Sequence, residues 1–204
     1  MTGARGPLLL DLDGVLRRRP AEDAADAEAA HGLPAGSLLA TVRGGADLLD
    51  ESVTGWISDE RWRAEVADRY AADHGPRARA AIARWSRSPG RLDADVLAVV
   101  RDERHRRPVH LATNATTRLR ADLAALGLDR EVDGVLSSAE LGVAKPDPGF
   151  WRAACDVLEV EPSACCVVDD TAENVAAAAA LGMAAHLFRG VGPLRAFLAR
   201  GAHG

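Results

Sequence analysis

The chain has 204 residues, of which 48% are hydrophobic and 27% are charged, a composition that predicts a globular protein with a buried core. Its formal net charge of -5 argues against a nucleic-acid partner, because phosphate backbones favour a basic face. No stretch approaches the roughly 20 apolar residues that span a bilayer, and the N-terminus lacks a signal-peptide pattern, so we expect a cytoplasmic protein without a membrane partner.

The first predicted strand ends in two carboxylates. Residues 8–15 read Leu-Leu-Leu-Asp-Leu-Asp-Gly-Val, so Asp11 and Asp13 follow an apolar run, and Gly14 lets the backbone turn behind them. Because burying unpaired carboxylates is costly, this pair indicates a metal or a reaction that compensates the charge. The alternative is a strand end whose acids face water.

A helical segment follows this motif over residues 16–90. Apolar spacing and Gly or Pro breaks predict helices over Ala21–His31, Ala35–Val42, Gly45–Glu51, Asp59–His74 and Arg77–Trp85, without a convincing strand between them. Ser58 is typical of a helix N-cap. We therefore predict a small all-α unit that returns through the Ser88-Pro89-Gly90 break.

From residue 91 onward, helices alternate with strands. Helices are predicted over Ala94–Arg104, Thr117–Gly127, Pro148–Leu158 and Ala172–Gly182, and strands over Val109–Ala112, Gly134–Ser137, Ala164–Val168 and Ala184–Phe188. With the strand at Leu8–Leu12, this order predicts an α/β fold with a Rossmann-like, doubly wound parallel sheet of about five strands. Residues 1–15 and 91–204 would form this core, and ligands are expected at the carboxyl ends of its strands.

Polar residues follow the predicted strands at those ends. Thr113 and Asn114 follow the second strand of the core, and Asp169 and Asp170 follow a later one, although each could also cap a helix. Lys145 is the only lysine among 25 basic residues. A compact ammonium fits a cramped site between carboxylates better than a guanidinium does, so this single lysine indicates a functional position.

These clusters resemble the four motifs of the haloacid dehalogenase superfamily. They read Asp11-Leu12-Asp13-Gly14-Val15, Thr113-Asn114, Lys145-Pro146-Asp147-Pro148, and Asp169-Asp170 with Asn174 following. The resemblance covers the whole chain, and the helical insertion is similar to the family's cap that closes over the site. It implies phosphoryl transfer through an aspartyl-phosphate.

Carried over by position, the resemblance implies that Asp11 attacks phosphorus. Asp13 would protonate the leaving alcohol and later activate water. Thr113 and the main-chain amide of Asn114 would hold phosphate oxygens, and Lys145 would offset the charge that builds on the transferring group.

The resemblance also implies Mg²⁺ as cofactor. The ion would be held by Asp11, the main-chain carbonyl of Asp13 and the acidic pair, with Asp170 a more direct ligand than Asp169. Gly14 and Asn174 would support this site, Asn174 by orienting the loop that carries the acidic pair.

Three consecutive arginines depart from the common pattern at the entry to the insertion. Arg17, Arg18 and Arg19 stand where the family usually has apolar or acidic residues. One interpretation is a solvated hinge. The other is that one of them binds a second anionic group of the substrate.

The main hypothesis is a Mg²⁺-dependent phosphatase that acts on a small phosphorylated metabolite, as a monomer or homodimer. A sugar phosphomutase or a dehalogenase of the same fold are alternatives, although a dehalogenase does not need Asp13 to protonate a leaving alcohol. The non-enzyme alternatives are a receiver-like metal-binding domain and an inactive binding protein. Order argues against a receiver, because here the adjacent acid pair comes late in the chain.

Overall fold

A five-stranded parallel sheet lies at the centre of the computed structural model, which describes residues 5–200. The strands are β1 (Leu8–Leu10), β2 (Arg17–Arg18), β3 (Arg91–Leu92), β4 (Val109–Thr113), β5 (Gly134–Ser137), β6 (Cys166–Asp169) and β7 (Ala184–Leu187). The order in the sheet is β5-β4-β1-β6-β7, with every neighbouring pair parallel. The predicted α/β fold with about five parallel strands is confirmed. Residues 1–4 and 201–204 of the predicted core lie outside the described residues.

Helices cover both faces of this sheet. The helices after the insertion are α6 (Ala94–Arg104), α7 (Leu119–Leu126), α8 (Ser138–Leu141), α9 (Pro148–Leu158), α10 (Ala172–Ala180) and α11 (Val191–Arg200). Successive residues of β1 enter different hydrophobic clusters, Leu8 and Leu10 on one face and Leu9 on the other. Since side chains alternate along a strand, both faces of β1 are buried, as a doubly wound sheet requires.

Five helices form the inserted segment and have a hydrophobic cluster of their own. They are α1 (Ala21–Ala30), α2 (Ser37–Arg43), α3 (Ala46–Val53), α4 (Asp59–His74) and α5 (Arg77–Trp85). Trp62, Val66 and Tyr70 of α4 lie in this cluster. The α4 helix begins at the predicted N-cap, where the Ser58 hydroxyl accepts from the main-chain N–H of Arg61 at 3.3 Å. We refer to α1–α5 as the helical cap.

The helical cap joins the core through β2 and β3, which pair antiparallel. The sequence pattern predicted neither of these strands, because two residues are too short to show a periodicity. It also missed α8, which has four residues, and α11, whose Gly192-Pro193 pair resembles a break although proline is tolerated in a first helical turn. Within residues 5–200, no helix is both long and apolar enough to cross a membrane.

Candidate active site

A buried ion cluster lies at the carboxyl ends of β1 and β6. The Lys145 ammonium donates to Oδ1 of Asp11 at 2.8 Å, to Oδ2 of Asp169 at 2.6 Å and to the Ala112 carbonyl at 2.8 Å. All three side chains are buried. Because an ammonium has three donors, these contacts match its full capacity and leave little room for a guanidinium.

Asp11 is a buried acid with a strongly perturbed pKa. Burial raises the pKa of Asp11 to about 6, and the charge of Asp169 acts in the same direction, while Lys145 opposes both. A carboxylate in this environment is poorly solvated, and it gains from any cation that binds beside it. Asp11 therefore has the burial and the electrostatic setting expected of a nucleophile or metal ligand.

Thr113, the last residue of β4, and Asn114, which follows it, have different settings. The Asn114 side chain donates to the Lys145 carbonyl and accepts from the Lys145 main-chain N–H, both at 2.8 Å. It therefore positions Lys145, and only the main-chain amide of Asn114 is left for the predicted contact with phosphate. Thr113 is buried, and its Oγ1 has no hydrogen-bond partner among the described residues. An unpartnered buried hydroxyl at this edge fits a phosphate oxygen.

Three carboxylates form a candidate metal centre. Oxygens of Asp11, Asp169 and Asp170 lie within 4.8 Å of one another. Both oxygens of Asp169 are engaged, since Oδ1 accepts from the Thr171 main-chain N–H and from the Asn174 side chain, each at 2.9 Å, and Oδ2 accepts from Lys145. Asp170 is partly exposed and has the Thr171 hydroxyl as neighbour at 3.2 Å. This donor set of hard carboxylate oxygens fits Mg²⁺, with Asp170 freer to bind it than Asp169.

Gly14 allows the loop after β1 to approach that centre. Its φ is +85°, and a Cβ at this position would lie 2.0 Å from Oδ2 of Asp170. Both the left-handed backbone and the close approach exclude an ordinary side chain. The glycine predicted to support the site is therefore required by its geometry.

The Asp13 side chain is not part of the three-acid cluster and pairs with Arg17. The loop folds back because the N–H groups of Leu16 and Arg17 both donate to the Leu12 carbonyl. Nε and Nη2 of Arg17 then donate to the two Asp13 oxygens at 2.6 and 2.7 Å. Arg17 is only 1% exposed and also contacts Asp122 at 3.3 Å. The interpretation of Arg17 as part of a solvated hinge is therefore wrong.

The other two arginines of this run separate. Arg18 has a side chain that is 65% exposed and pairs with Asp93, and it lies outside the cavity described next. The structure therefore does not bring Arg18 to the site, in contrast to the predicted substrate contact. Arg19 donates to Asp122 at 3.0 Å and lies 3.6 Å from Asp13, so it remains beside the site.

A cavity of about 180 Å³ lies between the helical cap and the core. Asp13, Arg17 and Arg19 line it, together with Trp62, Arg63 and Trp85 from the cap. Sequence analysis did not identify Arg63 and Trp85 as site residues. Their position beside Asp13 depends on how the cap packs on the core, for which the local pattern carries no signal.

The N-terminus of α4 docks the cap onto the core beside this cavity. Asp59 is buried, accepts from the Thr116 hydroxyl at 2.7 Å, and its main-chain N–H donates to Oγ1 of Thr117 at 2.9 Å. Sequence analysis placed Asp59 only at the start of a predicted helix. These contacts fix one wall of the cavity to the loop that follows Thr113 and Asn114.

Comparison with known sequences gives one family and several shorter matches. The sequence model of the haloacid dehalogenase-like hydrolase family matches residues 8–182. The (S)-2-haloacid dehalogenase 4A of Burkholderia cepacia is 41% identical over 64 residues, which are 31% of this chain and 28% of that protein. Phosphatase MT3486 of Mycobacterium tuberculosis is 41% identical over 68 residues, 33% of this chain and 31% of that protein. The chain thus matches less than a third of the length of each relative.

Solved structures share the whole architecture at low identity. The HAD family enzyme BT-2542 from Bacteroides thetaiotaomicron, in its magnesium complex, aligns with a TM-score of 0.73 and 17% identity over 90% of this chain and 92% of that one. The L-2-haloacid dehalogenase PA0810 aligns with a TM-score of 0.69 and 21% identity over 89% and 82%. These likenesses show the fold.

Proposed function

Since the chain belongs to the haloacid dehalogenase-like hydrolase family, we propose that it is a Mg²⁺-dependent phosphatase that hydrolyses a small phosphate monoester through an aspartyl-phosphate on Asp11. The observation that carries this proposal is the cluster of Asp11, Asp169 and Asp170 oxygens within 4.8 Å. Lys145 offsets one of these three negative charges. The charge that remains favours a bound divalent cation, and phosphoryl transfer is a reaction that uses such a cation.

In the first step, an oxygen of Asp11 bonds to phosphorus while the bond from phosphorus to the leaving oxygen breaks. Lys145 contacts Asp11 and offsets negative charge at this centre. The unpartnered hydroxyl of Thr113 is available to a phosphate oxygen. Bound Mg²⁺, held by Asp11 and Asp170, would supply the remaining charge compensation for the transferring group.

Asp13 moves protons in both steps of the proposed reaction. It protonates the departing oxygen in the first, and in the second it takes a proton from the water that attacks phosphorus and releases phosphate from Asp11. The bidentate Arg17 pair fixes the Asp13 carboxylate beside the cavity.

The comparisons support this proposal and also provide a second candidate. A magnesium and inorganic phosphate complex is known for BT-2542, and MT3486 is a phosphatase. Dehalogenases match the chain at 41% identity over a short segment, so carbon-halogen hydrolysis by the same Asp11 is the alternative. It is less favoured, because release of halide needs no proton from Asp13 and no cluster of metal-binding acids. A phosphomutase, a receiver-like domain and an inactive binding protein rank lower.

A turnover assay separates these functions. The wild-type protein should hydrolyse an aryl phosphate with Mg²⁺, and it should lose this activity with a chelator or in Asp11→Asn. Halide release from a 2-haloacid without Mg²⁺ would favour the dehalogenase, and absence of both activities would favour a binding protein. If Asp11→Asn hydrolyses the ester as fast as the wild type, the proposed nucleophile is wrong.

The remaining properties that we propose concern the partner, the location and the oligomeric state. The net charge of -5 favours a small phosphorylated metabolite as partner over nucleic acid or an anionic membrane. We also propose a cytoplasmic location and a monomer or homodimer. Light scattering on the purified protein measures the oligomeric state directly.

A further inference from the structure

Two hydrogen-bond donors with spare capacity line the cavity beside Asp13. Trp62 is only 5% exposed, and its indole Nε1 has no hydrogen-bond partner within residues 5–200. The guanidinium of Arg63 carries five N–H donors, and its bond from Nε to Asp59 at 2.5 Å uses one of them. A buried indole N–H is normally paired, so the unpartnered Nε1 of Trp62 indicates that an acceptor belongs in this cavity. Arg63, which is partly exposed, offers further donors beside it.

Arg63 is held in place before any ligand binds. Its guanidinium carbon lies 5.5 Å from the ring centroid of Trp62 and 5.9 Å from that of Trp85. Asp59 holds Nε and is itself held by Thr116 of the core. A side chain that is already ordered loses little conformational entropy when it binds, so Arg63 has the properties of a preorganised receptor.

The rest of the lining disfavours a polyhydroxylated ligand. The Asn114 amide is committed to Lys145, and the Thr116 hydroxyl donates to Asp59. Leu49, Val53 and Leu119 supply apolar surface. The several hydroxyls of a sugar would outnumber the free partners there, and each hydroxyl that loses water without gaining a partner costs binding energy.

We propose that the leaving group of the substrate carries a carboxylate that accepts hydrogen bonds from Arg63 and Trp62. The substrates would then be phosphate esters of small hydroxycarboxylic acids. This inference depends on the proposed function, because Asp13 identifies the cavity as the leaving-group side of the reaction. A cavity of about 150 Å³ can hold one benzene ring, so the 180 Å³ here fits a ring or a short carbon chain.

The charges around the cavity favour a single negative charge on that group. Its lining contains three arginines and three aspartates, namely Arg17, Arg19, Arg63, Asp13, Asp59 and Asp122. Because these formal charges balance, recognition depends on directed hydrogen bonds from preorganised donors. A monoanionic carboxylate is accommodated more easily in such a setting than a second phosphate dianion.

The test compares two esters that differ in charge and hardly in shape, 3-carboxyphenyl phosphate and 3-carbamoylphenyl phosphate. With Mg²⁺, the wild-type kcat/KM for the carboxylate ester should exceed that for the amide ester at least about tenfold, as expected for a charge-assisted hydrogen bond. Hydrolysis of both esters at equal kcat/KM would overturn the carboxylate assignment and leave the proposed phosphatase intact.

Variants separate recognition from packing. Arg63→Met keeps an unbranched side chain against the two indoles, and it should lower kcat/KM for the carboxylate ester at least about tenfold more than for the amide ester. Trp62→Phe, which keeps a ring and removes Nε1, should reduce the preference by a smaller factor. Arg61→Met is the matched control, since Arg61 is an exposed arginine two residues before Arg63 on α4. It should leave the preference unchanged. Equal losses for both esters in Arg63→Met would assign Arg63 a purely structural role and overturn the proposal.

A binding measurement decides the question even without turnover. Calorimetry with 3-hydroxybenzoate and 3-hydroxybenzamide requires no chemistry, so it tests the cavity independently of the phosphatase proposal. Tighter binding of the carboxylate, lost in Arg63→Met, supports the inference even if neither ester is hydrolysed. Equal affinity for the two compounds, or equal binding by the wild type and Arg63→Met, overturns it.

Discussion

Replacement of Gly14 by alanine should weaken Mg²⁺ binding far more than it weakens the fold. The backbone strain at φ +85° costs about 1–2 kcal/mol for a residue with a Cβ. The new methyl carbon would lie 2.0 Å from Oδ2 of Asp170, more than 1 Å closer than ordinary contact, so Asp170 must move out of the metal centre. Displacing a ligand in this way should raise the Kd for Mg²⁺ by about 10- to 100-fold.

Calorimetric Mg²⁺ titration and denaturant unfolding measure the two effects separately. Gly182→Ala is the matched control, because Gly182 has a φ of +87° but nothing within 4 Å of the added Cβ. Gly182→Ala should also lose about 1–2 kcal/mol of unfolding free energy, but it should bind Mg²⁺ like the wild type. The reasoning is refuted if Gly14→Ala binds Mg²⁺ normally, or if Gly182→Ala weakens binding as much.

Three further predictions concern the proton-transfer and ion-cluster residues. Lys145→Arg should lower kcat/KM at least about 100-fold although the charge is kept, because a guanidinium overfills the space between Asp11 and Asp169; near-normal turnover would contradict the size argument. Asp13→Asn should release a burst of phenol from an aryl phosphate and leave phosphate on Asp11, visible by rapid quench and intact mass, whereas normal turnover of an alkyl ester would remove Asp13 from the mechanism. Burial raises the pKa of Asp11 to about 6, so its proton competes with Mg²⁺, and the Kd for Mg²⁺ should rise as pH falls below about 6. Without metal, and at a pH between the ordinary aspartate pKa and about 6, Asp11 binds more protons in the native state than in the unfolded state. The free energy of unfolding should therefore fall as the pH rises through that range. A Kd for Mg²⁺ and a stability that are both independent of pH would contradict the raised pKa.

Local sequence patterns were sufficient for the long elements and for the strand ends. The helix predicted over Asp59–His74 has the same bounds in the structure, as does the strand over Gly134–Ser137. In α4 the buried residues Asp59, Trp62, Val66 and Tyr70 recur every three or four positions, as the helix period requires. Parallel topology then brings the strand ends to one edge, so the proximity of Asp11, Lys145 and Asp169 could be predicted without coordinates.

The cavity could not be predicted in the same way, because its contacts join residues that are distant in sequence. Asp59 meets Thr116 across 57 positions, and Arg17 meets Asp122 across 105. An arginine in a charged run is ordinarily solvated, and no local pattern distinguishes it from one that is buried against two acids. Recognition of Arg17 as an internal partner required the tertiary structure.

The ion pair between Arg17 and Asp13 connects the helical cap to the proposed chemistry. Arg17 lies on β2, the first strand of the connection to the cap, and it holds Asp13 through both carboxylate oxygens. Asp122 of α7 accepts from both Arg17 and Arg19, which fixes this connection to the core. Removing Arg17 would take the bidentate partner from Asp13 and one of the partners from Asp122, which would keep Arg19, and would so weaken the junction. The same ion pair therefore both stabilises the junction and sets where Asp13 stands relative to a leaving group in the cavity.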